Sequence, residues 1–139
     1  MENKKVLIIK NEPILLYAIE KKIQKIGCIV KCINNINDVD LNTLNTEFNL
    51  LIADFSILTF LQKFKESSQK VSVAIPIIVI LSLEQTKHIE QVIECGISDF
   101  VVKAPNLNDL VARTQLALLR AQIAHAQSEI SAVNNSIAC

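Results

Sequence analysis

No charge of one sign prevails in this sequence: 14 Lys+Arg stand against 14 Asp+Glu, a formal net charge of zero. Without a net field the chain has nothing to pull it onto nucleic acid or an anionic membrane, so DNA binding by this segment is not expected. Long apolar runs are missing too. The longest uncharged apolar stretches, such as Val71 to Leu83, fall short of the 18 or more residues that cross a bilayer, which excludes a membrane partner at this level. The opening Met1-Glu2-Asn3-Lys4-Lys5 leads directly into a strand-like segment, with no signal-peptide core or cleavage site, so a cytoplasmic location is expected. Cysteine pairs are absent: Cys28, Cys32, Cys95 and Cys139 are scattered, and His88 and His125 lie at no finger-like spacing. That pattern fits incidental thiols in a reducing compartment better than zinc or disulfides. No Gly-rich loop follows the first strand-like run, which argues against a dinucleotide, flavin or P-loop site. No Ser-His-Asp or Cys-His set stands out, so ordinary enzyme chemistry is not expected.

What is present is an alternation. Half of the 139 residues are hydrophobic and 20% are charged, enough for one globular domain with its own core. Lys5 to Ile9 is a short continuous apolar run, as in a strand covered on both faces. From Pro13, the residues Leu16, Ile19, Ile23 and Ile26 recur at helical spacing until Gly27 stops them. Cys28 to Ile33 is β-branched and strand-like, and one short helix is expected around Val39 to Leu44. Phe48 to Ala53 reads as a third strand with Asp54 at its end, followed by a helix over Ile57 to Lys65. Ala74 to Leu81 reads as a fourth strand ending at Ser82, Thr86 to Cys95 as a helix closed by Gly96, and Asp99 to Val102 as a fifth strand ending at Lys103. From Asn106 the pattern is helical to about Val133. Strands and helices alternating with short connections predict a doubly wound α/β fold with a parallel sheet. In such sheets ligands collect at the carboxyl ends of the strands, which is where Lys10, Asn11, Glu12, Asp54, Ser82 and Lys103 fall.

Four segments carry a resemblance: VLIIKNEP (Val6 to Pro13), LLIAD (Leu50 to Asp54), PIIVILS (Pro76 to Ser82) and GISDFVVK (Gly96 to Lys103). In order and spacing, over about residues 4 to 120, the chain resembles the receiver domain of two-component response regulators. The resemblance implies a flavodoxin-like fold with strand order 2-1-3-4-5 and a phosphorelay function. It implies Asp54 as phosphoacceptor, Lys103 as its phosphate partner, and Ser82 and Phe100 as a switch pair. A sensor histidine kinase or phosphotransfer protein would be the partner, and self-phosphorylation from a small phosphodonor the most enzyme-like act. Residues 1–120 would be the receiver and 121–139 a helical extension. An aspartate can attack a phosphohistidine when positive charge meets the phosphoryl oxygens. Family members supply part of that charge with magnesium, held by carboxylates of the first-strand turn and the acceptor itself.

Here the pattern departs. Lys10 and Asn11 stand at the two ordinarily acidic positions, and only Glu12 is acidic. An ammonium repels Mg2+ and an amide is a weaker ligand, so a metal held by Asp54, Asn11 and Glu12 is expected to be weak or absent. Lys10 either takes the metal's place beside Asp54, or points to solvent while Glu12 helps hold a weak ion; a nearby cation would keep Asp54 ionised. The first arrangement describes an alternative function: a phosphorylation-independent receiver acting as an interaction and dimerisation scaffold. After Asp54 the chain reads Phe55-Ser56-Ile57-Leu58-Thr59-Phe60, with neither Gly nor Pro, so access to Asp54 is expected to be narrow. Ala104 intervenes between Lys103 and Pro105, and a cis Lys103–Ala104 bond would cost about 2.5–4 kcal/mol, so that loop is expected to differ from the family's. Plainer roles are a loop cap for Asp54, a turn for Ser82, a core aromatic for Phe100 and a solvated cation for Lys10.

In the last helix Leu107, Leu110, Val111 and Thr114 would pack on the sheet. Leu116, Leu119, Ile123, Ala126, Ile130, Val133 and Ile137 then recur in alternating steps of three and four, a heptad seam flanked by Arg120, Gln122, Gln127 and Glu129. The expectation is a parallel homodimer or a signalling helix leading to an output domain, against a frayed helix folded back on its own domain.

Overall fold

The computed structural model describes residues 3–9, 13–66, 73–103 and 105–137. Five parallel strands, β1 (Lys5–Ile9), β2 (Ile29–Ile33), β3 (Leu50–Asp54), β4 (Ile77–Leu81) and β5 (Asp99–Val102), form one sheet in the order β2-β1-β3-β4-β5. Helices α1 (Pro13–Lys25), α2 (Leu41–Glu47), α3 (Ile57–Glu66), α4 (Ile89–Glu94) and α5 (Leu107–Ile137) alternate with them. The doubly wound α/β fold and strand order expected above are therefore those of the molecule.

The unbroken apolar runs follow from burial on both faces. Successive strand residues point to opposite sides. Val6, Ile8, Leu50, Ile52, Ile78, Ile80 and Val101 meet Ile19 and Ile23 of α1 and Leu110, Ala117 and Leu118 of α5. Their neighbours Leu7, Ile9, Leu51, Ala53, Ile77, Val79 and Leu81 meet Leu44 of α2, Ile57, Leu58 and Leu61 of α3, and Val92 of α4. Every residue of β4 is buried, and each such aliphatic side chain contributes roughly 1.5–3 kcal/mol of transfer free energy. The central strands are thus rigid supports for whatever stands at their ends.

Element boundaries differ from expectation where local hydrogen bonding decides. The strand expected from Ala74 starts at Ile77, because Pro76 has no N–H for the ladder; Ile77 N–H instead bonds the Ser98 hydroxyl at 3.3 Å. The single helix expected over 39–44 is two pieces. A 3-10 turn spans Ile36–Asp38, Val39 is extended, and Asp40 then caps α2 by accepting from Thr43 N–H at 2.7 Å. The helix expected from Thr86 begins as a 3-10 turn, Glu84–His88, and becomes α-helical at Ile89. Gly27 and Gly96, at φ of 96° and 85°, end α1 and α4 in the left-handed conformation that glycine adopts without strain.

Candidate functional site

Strand order reverses at β1: the chain steps from β1 to β2 on one side and then returns to build β3, β4 and β5 on the other. The crevice at such a point lies between the carboxyl ends of β1 and β3. Ile9 pairs with Ala53 there, and Asp54 follows Ala53 as the last, half-buried residue of β3. Only Phe55 and Ser56 separate it from α3. The connection is a tight Asx turn: Asp54 Oδ1 accepts the Ser56 backbone N–H at 3.0 Å and the Ser56 hydroxyl at 2.5 Å. Both bonds fall on one carboxylate oxygen, so Ser56 fixes the carboxylate's orientation and leaves Oδ2 outside the turn. Phe55 reaches across to His88, with ring centroids 5.8 Å apart, and so ties the β3–α3 turn to the segment after β4.

Ser82 follows β4 and is half-buried. It forms a reciprocal cap with Gln85: Ser82 N–H donates to Gln85 Oε1 at 2.8 Å, and Gln85 N–H donates to Ser82 Oγ at 3.2 Å. This is a capping box, which pins the start of the 3-10 turn. The Ser82 hydroxyl accepts in this arrangement and keeps its proton to donate. Lys103 follows β5, its backbone N–H bonded to the Leu81 carbonyl at 2.7 Å. Asp54 pairs with Ile80, and Ile80 with Val101, so Asp54, Ser82 and Lys103 occupy one edge on three adjacent strands. Two strand spacings put the backbones of β3 and β5 about 10 Å apart, a gap a lysine stem can largely span. Phe100 sits opposite Val79 in β5, half-buried against the α2–α4 side of the core.

No family model matches the chain. A curated relative, the transcriptional regulatory protein CrdR of Helicobacter pylori, is 24% identical over 112 residues, which are 79% of this chain and 53% of that protein. The chain thus spans about half the length of this relative. Among solved structures, an orphan response regulator of H. pylori superposes with a TM-score of 0.67 at 21% identity, covering 83% of this chain and 96% of that one. The receiver domain of a Francisella response regulator gives 0.67 at 21%, covering 85% and 98%. A response regulator receiver modulated diguanylate cyclase from Pelobacter carbinolicus gives 0.66 at 23%, covering 88% and 98%. This chain has the receiver-domain fold.

Within the receiver fold, the structure brings Asp54, Ser82 and Lys103 to one edge and sets Phe100 in the neighbouring strand. Lys10, Asn11, Glu12 and Ala104 lie outside the described residues, and with them the expectations about the acidic turn and the Lys103–Ala104 bond. Among the described residues no group of three or more His, Cys, Asp or Glu side chains could hold a metal ion. Asp54 is the one carboxylate that these residues bring to this edge from the strand ends, and one of its oxygens already serves Ser56. One carboxylate alone does not complete the oxygen-rich octahedron magnesium requires; Asn11 and Glu12, the other residues expected to contribute to it, lie outside the described residues.

Three features of the molecule were not expected from its sequence. Ser56 was visible only as a member of a loop; its bond to Asp54 follows from the two-residue turn. The Ser82–Gln85 box was legible as Ser-x-x-Gln ahead of a helix. Arg113 bridges Asp99 at 2.7 Å and Asp109 at 2.9 Å; the second pair has the (i, i+4) helix spacing, the first needs the fold. Hydrogen bonds that Arg113 donates to Asp109 and then to Asp99 raise its pKa further. This cluster lies at the amino end of β5, with two clefts beside Ile75, Pro76 and Ala121, away from the Asp54 edge. Among the described residues no helix is long and apolar enough to cross a membrane.

Proposed function

We propose that the chain is the receiver module of a two-component phosphorelay, with Asp54 accepting the phosphoryl group from a sensor histidine kinase, a phosphotransfer protein or a small phosphodonor. The observation that carries this reading is the carboxylate at the switch-point end of β3, with a hydroxyl and an ammonium at the ends of the next two strands. Asp54 Oδ2 attacks phosphorus in line; the O–P bond forms as the N–P bond breaks, and the departing imidazole takes up a proton. Ser56 holds Oδ1 so that Oδ2 faces the donor. The Lys103 ammonium offsets charge on the phosphoryl oxygens, and the Ser82 hydroxyl donates to one of them, with Phe100 following as the aromatic partner of the switch. The module signals and does not turn over a substrate. Its effect passes to a partner or output domain, since the relative it matches is about twice its length.

A second reading is favoured by Lys10 and Asn11 standing in the sequence at the two ordinarily acidic positions: a phosphorylation-independent receiver in which Lys10 neutralises Asp54 and the fold serves as an interaction scaffold. Intact-mass measurement after incubation with phosphoramidate and Mg2+ separates the two. A gain of about 80 Da, one phosphoryl group, that Asp54→Asn abolishes supports the relay. No gain in the native chain, with a gain appearing in Lys10→Asp, rejects the relay and supports the scaffold.

A further inference from the structure

The end of α5 offers a surface whose shape specifies its occupant. Leu110, Thr114, Ala117 and Leu118 bury one side of the helix against the sheet. From Leu119 to Val133 every residue is exposed, including Leu119, Ile123, Ile130 and Val133 at 46–59%. Helical structure nonetheless continues to Ile137. An unsupported helix of that length is marginal in water, and the described part of the domain does not fold back to cover it.

With Leu116 at heptad position a, the a positions are Leu116, Ile123, Ile130 and Ile137, and the d positions Leu119, Ala126 and Val133. A shallow, mostly apolar depression on this helix is lined by Ala126, Glu129, Ile130 and Val133. In heptad letters these are d, g, a and the next d, the four positions that form a hole for an a side chain of a facing parallel helix. Ala126, methyl-sized at d, deepens the hole so that an isoleucine fits. Parallel, in-register helices also bring each g residue beside the e residue five positions on in the other copy. That pairs Gln115 with Arg120 and Gln122 with Gln127, so no like charges meet. β-Branched Ile123 and Ile130 at a, with Leu119 at d of the first heptad, follow the pattern that favours two strands.

We infer that residues 116–137 form a parallel, in-register two-stranded coiled coil with a second copy of this chain, Ile130 of each copy filling the Ala126–Glu129–Ile130–Val133 hole of the other. The inference stands on the helix alone and is independent of phosphoryl transfer at Asp54. Sedimentation equilibrium of the full chain is expected to give twice the 15.5 kDa chain mass. Ile130→Asp, at an exposed position that leaves the core intact, is expected to return the chain to monomer with unchanged near-UV circular dichroism. Ile123→Cys is expected to link the copies on mild oxidation, because like a positions face each other only when the helices run parallel and in register. A monomer at every concentration, a dimer that survives Ile130→Asp, or no more linked dimer from Ile123→Cys than from the unaltered chain would each overturn the inference.

Discussion

Thr114 is fully buried on the sheet-facing side of α5, and its hydroxyl has no hydrogen-bond partner. A helical threonine ordinarily returns its hydroxyl to the carbonyl one turn back; here that bond is not made. A buried hydroxyl without a partner carries a desolvation penalty of about 1–3 kcal/mol. Valine has nearly the same shape and helix propensity, so Thr114→Val exchanges the orphan oxygen for a methyl group among Leu110, Ala117 and Leu118. The expected result is stabilisation by about 1–2 kcal/mol, or a Tm higher by roughly 3–7 °C for a domain of this size. Thr114→Ser keeps the hydroxyl and loses the methyl, and should be destabilised by about 1 kcal/mol. The two signs separate the polar contribution from the volume contribution. Urea unfolding at one fixed protein concentration is the assay, because self-association would make the midpoint concentration-dependent, and the slope m should not change. Destabilisation of Thr114→Val by about 1 kcal/mol or more would refute the reasoning, since it would mean that the hydroxyl is bonded in the native state.

Burial, then the charge and hydrogen bond of Glu20, push the Cys32 thiol up from 9.0 to about 11. The folded chain therefore holds this proton more tightly than the unfolded chain. Its contribution to stability is complete below pH 9 and is lost as pH rises towards 11; urea midpoints measured at pH 8 and pH 10.5 should differ less in Cys32→Ala than in the native chain. Gly96 sits at φ +85° with no atom within 4 Å of where a Cβ would stand, so Gly96→Ala should cost only the backbone term, about 1–2 kcal/mol by urea unfolding. A larger loss would mean that the α4–β5 turn is held by more than its backbone angle.

The sheet was legible because burial on two faces leaves short continuous apolar runs rich in β-branched residues, such as Lys5–Ile9 and Ile77–Leu81, with longer helical patterns alternating between them. Gly27 and Gly96 marked helix ends because the left-handed angle at those positions suits little else. The boundaries that moved were set by side chains speaking to backbone. Asp40 starts α2 through Thr43, and the Pro76 ring delays β4. Asn49 bonds Lys5 in both directions, at 2.9 Å and 2.7 Å, ahead of β3. Of the candidate site, the strand-end residues Asp54, Ser82 and Lys103 were readable because topology alone collects them. The bonds that orient them were harder to see. Nothing in a run such as Asp-Phe-Ser says that the serine will turn back onto the carboxylate until the following helix is known to begin at Ile57. Arg113 and Asp99 lie 14 residues apart and meet only because α5 lies back along β5.

Packing on the sheet and the exposed seam of α5 overlap by a full turn, Leu116 and Leu119 interleaving with Ala117 and Leu118, so no joint separates the anchored part of the rod from the projecting part. Beyond Leu119 the rod extends about 27 Å at 1.5 Å per residue. It is a lever arm: a tilt of about 5° where it rests on β3 and α1 would sweep its tip through roughly 2 Å, enough to shift how anything attached there is presented.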